Sequence, residues 1–312
     1  MWLRILARTA QILGALTLGA CLSVSPHHPG TGVHANIPLR TLGGIQFWAD
    51  VEWRSGWRIQ ENVLFRHHRL LDPENVRRAW GSRAACREAL DRRAPATATD
   101  RSVEHLVVLL HGLGRSRHSM APLAETLESA GLSTACLAYP STRAGLDEHA
   151  QNLNGLLNEL RQVSRVSFVT HSMGGLVVRK ALGQPAPWRA RIELGRVLQL
   201  GPPNQGSQLA RWFEPTPIGW VLGPSLTTVA TDEARDLPAL PCDFAIVAGA
   251  KPDSDGWNPF LRGDDDGVVR VEETLLPGAD EHHSVQAMHT VLMRNEDVNE
   301  IALRYLLAEY TR

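Results

Sequence analysis

Val169-Thr170-His171-Ser172-Met173-Gly174-Gly175 is an apolar run that ends in a serine followed by small residues. The pattern is that of a buried strand turning abruptly into a helix. Such a turn lifts the side chain at its apex clear of the sheet, and it needs small residues two places before and after that apex. Gly174 meets the need, whereas Thr170 requires its side chain to turn aside. The segment reads as a nucleophilic serine on an elbow. Ser172 capping a helix after a buried strand would give the same local pattern, so the reading needs partners elsewhere in the chain.

Upstream, Glu104-His-Leu-Val-Val-Leu-Leu110 reads as a fully buried strand that leads directly into His111-Gly112-Leu113-Gly114-Arg115-Ser116. Attack on an acyl carbonyl creates an oxygen with negative charge, and backbone N–H groups are the donors that stabilise it. Here the donors would be Leu113, in this early loop, and Met173, the residue after the serine. The glycines flanking Leu113 let the backbone turn and approach a substrate closely.

Together, His111-Gly112-Leu113-Gly114 and Thr170-His-Ser-Met-Gly-Gly175 resemble the α/β-hydrolase family, in its lipase and esterase branch. The resemblance implies a mainly parallel central sheet with helices on both faces and a small cap or lid. It also implies an acid and then a histidine downstream of the serine, each just after a strand. Gly263-Asp-Asp-Asp-Gly-Val-Val-Arg270 follows the strand-like run Asp243–Ala250 and resembles the lipase pattern Asp-Gly-Val-Val, which marks Asp266 as the acid. Its role would be to fix the imidazole tautomer and stabilise the imidazolium. Asp264 and Asp265 are poorer candidates. Ala287-Met288-His289-Thr290-Val291-Leu292, just before the last helix, resembles the family's histidine segment and points to His289 as the base, with His282 and His283 as rivals. No histidine cluster has metal-ligand spacing, and the resemblance implies no cofactor.

Strands are expected near 105–110, 133–139, 166–171, 196–201, 243–250 and 271–276. Met120, Leu123 and Leu127 repeat at helical spacing, as do Leu153, Leu156, Leu157 and Leu160, and Asn295–Tyr310 closes the chain with another apolar face. Alternating strands and helices imply an α/β fold. The rhythm breaks near 206–240, which resembles a lipase cap, and Trp212, Phe213, Trp220 and Leu222 there are the candidate substrate-binding side chains. The catalytic domain would thus span 104–312.

The chain has 312 residues, 43% of them hydrophobic, and a net charge of -1. That is enough for one large α/β domain, and it gives no argument for a nucleic-acid partner. At the N-terminus, Arg4 and Arg8 precede an apolar stretch ending in Leu18-Gly19-Ala20-Cys21, which resembles a bacterial lipoprotein signal. That implies cleavage after residue 20, lipidation of Cys21 and a membrane tether on the periplasmic side of the cell envelope. Residues 21–36 read as a linker. Residues 37–103 are aromatic-rich and lie outside the clear resemblance; an extra strand and helix packing on the main domain are expected there, with Asp72-Pro73-Glu74 as a helix start. Of the remaining cysteines, Cys86 with Cys242 is the candidate pair, and Cys136 reads as a packed thiol.

The expected activity is hydrolysis of a small-molecule or lipid carboxylic ester through an acyl-serine. Two alternatives use the same scaffold: acyl transfer to another acceptor, and a hydrolase-fold binding lipoprotein without activity.

Overall fold

The computed structural model describes residues 36–94, 103–251 and 255–308, so the stretch expected to be a signal, Cys21 and all of the expected linker except Asn36 lie outside the described residues. The chain opens with an antiparallel sheet: β1 (Leu39–Arg40), β2 (Trp48–Arg54), β3 (Trp57–Asn62), β4 (His68–Leu71) and β5 (Val76–Gly81), in the order β1-β5-β4-β3-β2. Helix α1 (Arg83–Arg93) covers it, started by Ser82, whose Oγ accepts the Ala85 N–H at 3.2 Å. Ile59, Leu70 and Ala79 of the sheet pack with Cys86, Ala89 and Leu90 of the helix as a small separate core. This is a larger unit than the single strand and helix expected. Asp72-Pro73-Glu74 starts no helix: the Asp72 carboxylate accepts the Val76 N–H at 2.8 Å, Asn75 is left-handed at φ +66°, and the segment is the turn between β4 and β5. Proline's fixed φ suits the second position of a turn as well as the first of a helix, so local sequence does not separate the two.

The main sheet has six strands, all parallel: β6 (Val103–Leu110), β7 (Ser133–Leu137), β8 (Val163–His171), β9 (Glu193–Leu200), β10 (Phe244–Ala250) and β11 (Glu281–Gln286). Their spatial order is β11-β10-β9-β8-β6-β7. The connecting helices are α2 (Ala121–Ser129), entered through a 3-10 turn from Arg117, α3 (Leu146–Glu159) and α4 (Met173–Leu182). Residues alternate along each central strand between two cores. Leu106, Val108, Leu110, Val166 and Phe168 pack with α3 and α4, while Val107, Leu109, Val169, Leu198 and Leu200 pack with α2 on the opposite face. A sheet covered on both faces needs apolar side chains pointing both ways, which is why these strands read as continuous apolar runs.

The expected strand at 271–276 is not there. Four short helices fill 208–236, namely α5 (Gln208–Phe213), α6 (Pro217–Leu222), α7 (Ser225–Ala230) and α8 (Glu233–Asp236), and Val271–Thr274 is a further helical turn, α9. In α9 the Glu273 carboxylate accepts the Arg270 N–H at 2.9 Å and so closes the turn. The sixth strand is instead the polar run Glu281–Gln286, an edge strand in which Val285 alone is buried. Its core contact is too small to leave an apolar signature. Helix α10 (Glu296–Leu307), capped by Asn295 through the Val298 N–H, ends the described fold on the α2 face. Among the described residues no helix is long and apolar enough to cross a membrane. Cys86, Cys136 and Cys242 are free thiols, so the candidate Cys86–Cys242 bridge is not formed.

The segment of short helices expected to be a cap is tied to the sheet by Arg179 of α4. Its buried guanidinium donates to the carbonyls of Asn204, Ala234, Leu237 and Pro238 and to the Asn204 side chain, and burial lowers its pKa to about 10. Replacing it strands several buried carbonyls at once. Arg179→Ala is expected to cost about 3 kcal/mol or more in urea unfolding. Arg179→Lys should recover only part of that loss, because an ammonium cannot reproduce the planar fork of donors.

Candidate active site

The parallel strands deliver several loops to one edge of the sheet, at their C-terminal ends. Ser172 follows β8 with φ +54° and ψ -127°, a conformation that non-glycine residues rarely adopt. The Ser172 N–H donates to the Leu200 carbonyl at 2.8 Å, which holds the turn against β9. The elbow depends on missing side chains. A Cβ on Gly174 would lie 2.8 Å from the Leu110 carbonyl oxygen, and one on Gly112 would lie 3.0 Å from the Ser172 Cβ. Thr170 is accommodated as the sequence requires: it is fully buried, and its hydroxyl turns toward the Leu198 carbonyl at 3.5 Å.

Asp266 and His289, 23 residues apart in sequence, meet at the same edge. The His289 Nδ1 lies 2.6 Å from the Asp266 Oδ2, and the His289 backbone N–H donates to the Asp266 carbonyl at 2.8 Å. The other carboxylate oxygen accepts the N–H groups of Val268 and Val269 at 3.0 and 2.8 Å. Asp266 is therefore a fixed, buried acceptor. With Nδ1 engaged as a donor, Nε2 is the ring nitrogen left to accept a proton. Gly201, at the end of β9, completes the packing, since a Cβ there would lie 3.1 Å from the His289 Nδ1 and 3.2 Å from the Asp266 Oδ2.

The neighbouring candidates have other attachments. Asp265 accepts the N–H groups of Trp257, Asn258 and Gly267 on one oxygen, and Asp264 accepts that of Lys251, so both shape the loop that presents Asp266. His282 and His283 lie on β11, bonded to Thr274 and Glu281 respectively, and do not meet Asp266.

His171 is a contributor the motif contained but the sequence left without a role. Its ring is fully buried, its Nε2 lies 2.9 Å from the His289 carbonyl and its centroid 4.5 Å from the His289 ring. The strand leading into the elbow thus grips the histidine loop directly. Burial, then the neighbouring His289, holds the His171 pKa well below its ordinary value, so the ring is neutral and donates from Nε2.

Leu113 and Met173 both present backbone N–H groups without an acceptor among the described residues. Met173 begins α4, where the first N–H groups of any helix are unpaired. Leu222 reaches the Leu113 loop, its Cδ2 3.8 Å from where a Cβ on Gly114 would stand. Phe213 packs onto the core of the sheet, while Trp212 and Trp220 are exposed, Trp220 at 83%. No contact among the described residues brings those two to Ser172.

Behind the site, His111 stacks on Tyr139 at 4.3 Å and His149 meets the same ring edge-on at 5.0 Å. Desolvation lowers both imidazoles to about 4. Unfolded histidines take up protons near pH 6.5, whereas these remain neutral in the fold until about pH 4. The unfolded state binds more protons in that window, so stability falls as pH drops from 6.5 toward 4. Thermal unfolding across this range should show the loss, and His149→Phe, if it folds, should lessen it while His111 and His171 keep their share.

Residues 100–194 match the family described as "Putative serine esterase (DUF676)". The match spans Leu113, Ser172 and Met173 and ends before Asp266 and His289. The Bacillus licheniformis lipase BlEst2 is similar in structure in two forms. In its propeptide form it aligns with a TM-score of 0.55 and 20% identity over 67% of this chain and 51% of that one. In its mature form the TM-score is 0.54 with 20% identity, over 66% of this chain and 93% of that one. This chain thus spans about half of the propeptide form. No curated protein matches it in sequence. The six parallel strands, the helices on both faces and the likeness to both lipase structures make this an α/β-hydrolase fold.

Proposed function

We propose that the protein is a serine hydrolase that cleaves carboxylic esters through an acyl-serine intermediate, with Ser172 as nucleophile, His289 as general base and Asp266 as its carboxylate partner. The observation that carries the reading is the buried 2.6 Å contact between Asp266 and the His289 Nδ1, on the same sheet edge as a serine held at φ +54°. His289 Nε2 takes the Ser172 hydroxyl proton as Oγ attacks the ester carbonyl. The electron pair of the C=O bond moves to oxygen, where the Leu113 and Met173 N–H groups receive the charge. The alcohol leaves with the proton from His289, and water repeats the sequence to release the acid. Asp266 keeps Nδ1 protonated throughout and stabilises the imidazolium.

Ester chemistry is supported by the family match over the segment that holds Ser172 and Leu113. Leu222 beside the Leu113 loop suits an apolar acyl group. Cys21 is proposed as the lipidated anchor that tethers this domain in the bacterial cell envelope, on the sequence resemblance alone; a fatty-acid mass increment on the Cys21 peptide would test it.

The purified domain should be labelled by a fluorophosphonate at Ser172, read by peptide mass spectrometry. Ser172→Ala should abolish labelling and lower turnover of a simple ester by about six decades, and Asp266→Asn by about four. A folded protein that neither labels nor loses turnover in these variants would overturn the assignment.

A further inference from the structure

The candidate oxyanion donor Leu113 sits in a loop with two glycines, and such a loop has little intrinsic preference for one conformation. Its internal hydrogen bonds converge on the Gly112 carbonyl, which accepts from the Arg115 N–H at 3.2 Å and from the His111 Nδ1 at 2.9 Å. Its order comes from outside. The Gly114 N–H donates to the Ser141 Oγ at 3.0 Å, and the Arg115 carbonyl accepts from the Gln46 Nε2 at 2.7 Å.

Gln46 belongs to the short 3-10 turn Ile45–Phe47 that precedes β2, in the N-terminal unit and outside the segment matched to the esterase family. Its side-chain amide is fully engaged. Nε2 donates to the Arg115 carbonyl and, at 3.1 Å, to the Ser141 Oγ; Oε1 accepts the Thr142 N–H and the Thr142 hydroxyl, both at 2.9 Å. Two donors and two acceptor positions are all that a carboxamide has. Every one of them goes to the Leu113 loop or to the turn after β7. That turn also seats the cap: the Ser225 hydroxyl donates to the Ala144 carbonyl at 2.8 Å, and Gly223 lies so close to the Thr142 carbonyl that it has no room for a side chain.

The N-terminal unit that carries Gln46 is itself anchored to the main sheet. The Asp50 N–H donates to the Ala138 carbonyl at 2.9 Å and its carboxylate accepts the Ala138 N–H at 2.7 Å. The unpaired Leu113 N–H is therefore followed by two pinned residues, and both pins lead to one side chain on a fixed support.

We propose that Gln46 is a positioning residue that holds the Leu113 N–H in its donor orientation and couples the N-terminal unit to the reaction at Ser172. The inference rests on the esterase reading above. A displacement of about 1 Å in a group that serves the transition state can cost about a hundredfold in rate, and substrate binding that does not use that group is spared.

The test compares Gln46→Ala and Gln46→Glu with wild type in the full chain, and with Arg78→Ala as a control that breaks an ion pair to Asp72 in the same unit. Gln46→Ala should lower kcat about 10- to 100-fold with KM within about twofold. A trifluoromethyl ketone, which mimics the tetrahedral intermediate, should bind more weakly by a similar factor. Hydrogen exchange of the peptide containing Gly114 should quicken. Gln46→Glu keeps the acceptors for Thr142 but sets a carboxylate against the Arg115 carbonyl, so it should not restore kcat. Arg78→Ala should lower Tm without moving kcat. Wild-type kcat and unchanged exchange in Gln46→Ala would overturn the proposal, as would an equal kcat loss in Arg78→Ala. If the wild type neither labels nor hydrolyses while Gln46→Ala still quickens exchange at Gly114, the clamp stands and the esterase reading fails.

Discussion

The structure is organised around one strained residue. Ser172 has to leave a buried parallel strand and enter a helix within a single turn, and it does so in a backbone conformation that costs energy of order 1–3 kcal/mol. Three constraints support it: the bond from the Ser172 N–H to Leu200, the close passage of Gly174 over the Leu110 and His111 carbonyls, and the absence of a side chain at Gly112. Each requires neighbouring strands at fixed depth. The paired apolar layers on the two faces of the sheet supply that fixed depth, so the two cores serve the site as well as stability.

From the elbow the support extends in two directions. On one side His171 reaches the carbonyl of His289, and Gly201 allows that ring and Asp266 to pack against the end of β9. The histidine and acid are thus held by the strand that carries the serine and by the strand next to it. On the other side the glycine-rich loop at Leu113 is pinned through Ser141 and Gln46 to the N-terminal unit. A region that lies outside the family match consequently contacts the segment of the candidate machinery with the least intrinsic conformational preference, a loop built on glycines.

Much of this arrangement was legible in the chain. Five of the six parallel strands stand out as apolar runs because burial on both faces demands them; Ser172 directly follows β8, while Asp266 lies on the long connection after β10 and His289 opens the 3-10 turn after β11. β11 did not stand out, since an edge strand with one buried residue has no apolar period, and the run at 271–276 was expected as a strand in its place. The Asp72-Pro73 turn resembles a helix start in sequence because proline fits both. His171 was visible beside the serine, but adjacency along a strand says nothing of which loop packs above it. The Cys86–Cys242 pairing had no support beyond two unassigned cysteines, and the fold places Cys86 inside the small N-terminal core.

The sequence by itself determined the alternation of strand and helix, the elbow with its small residues and the order of serine, acid and histidine, because each is a local pattern of size, polarity and backbone freedom. Tertiary structure decided which aspartate of three and which histidine of the rivals meet, how the His171 ring is used and which distant amide holds the Leu113 loop. Those choices depend on distances between segments far apart in the chain. Gln46 and Arg115 are separated by 69 residues, Asp266 and His289 by 23, and His171 and His289 by 118. Only packing of the sheet and its loops brings such groups within hydrogen-bonding range, and no local pattern encodes that meeting.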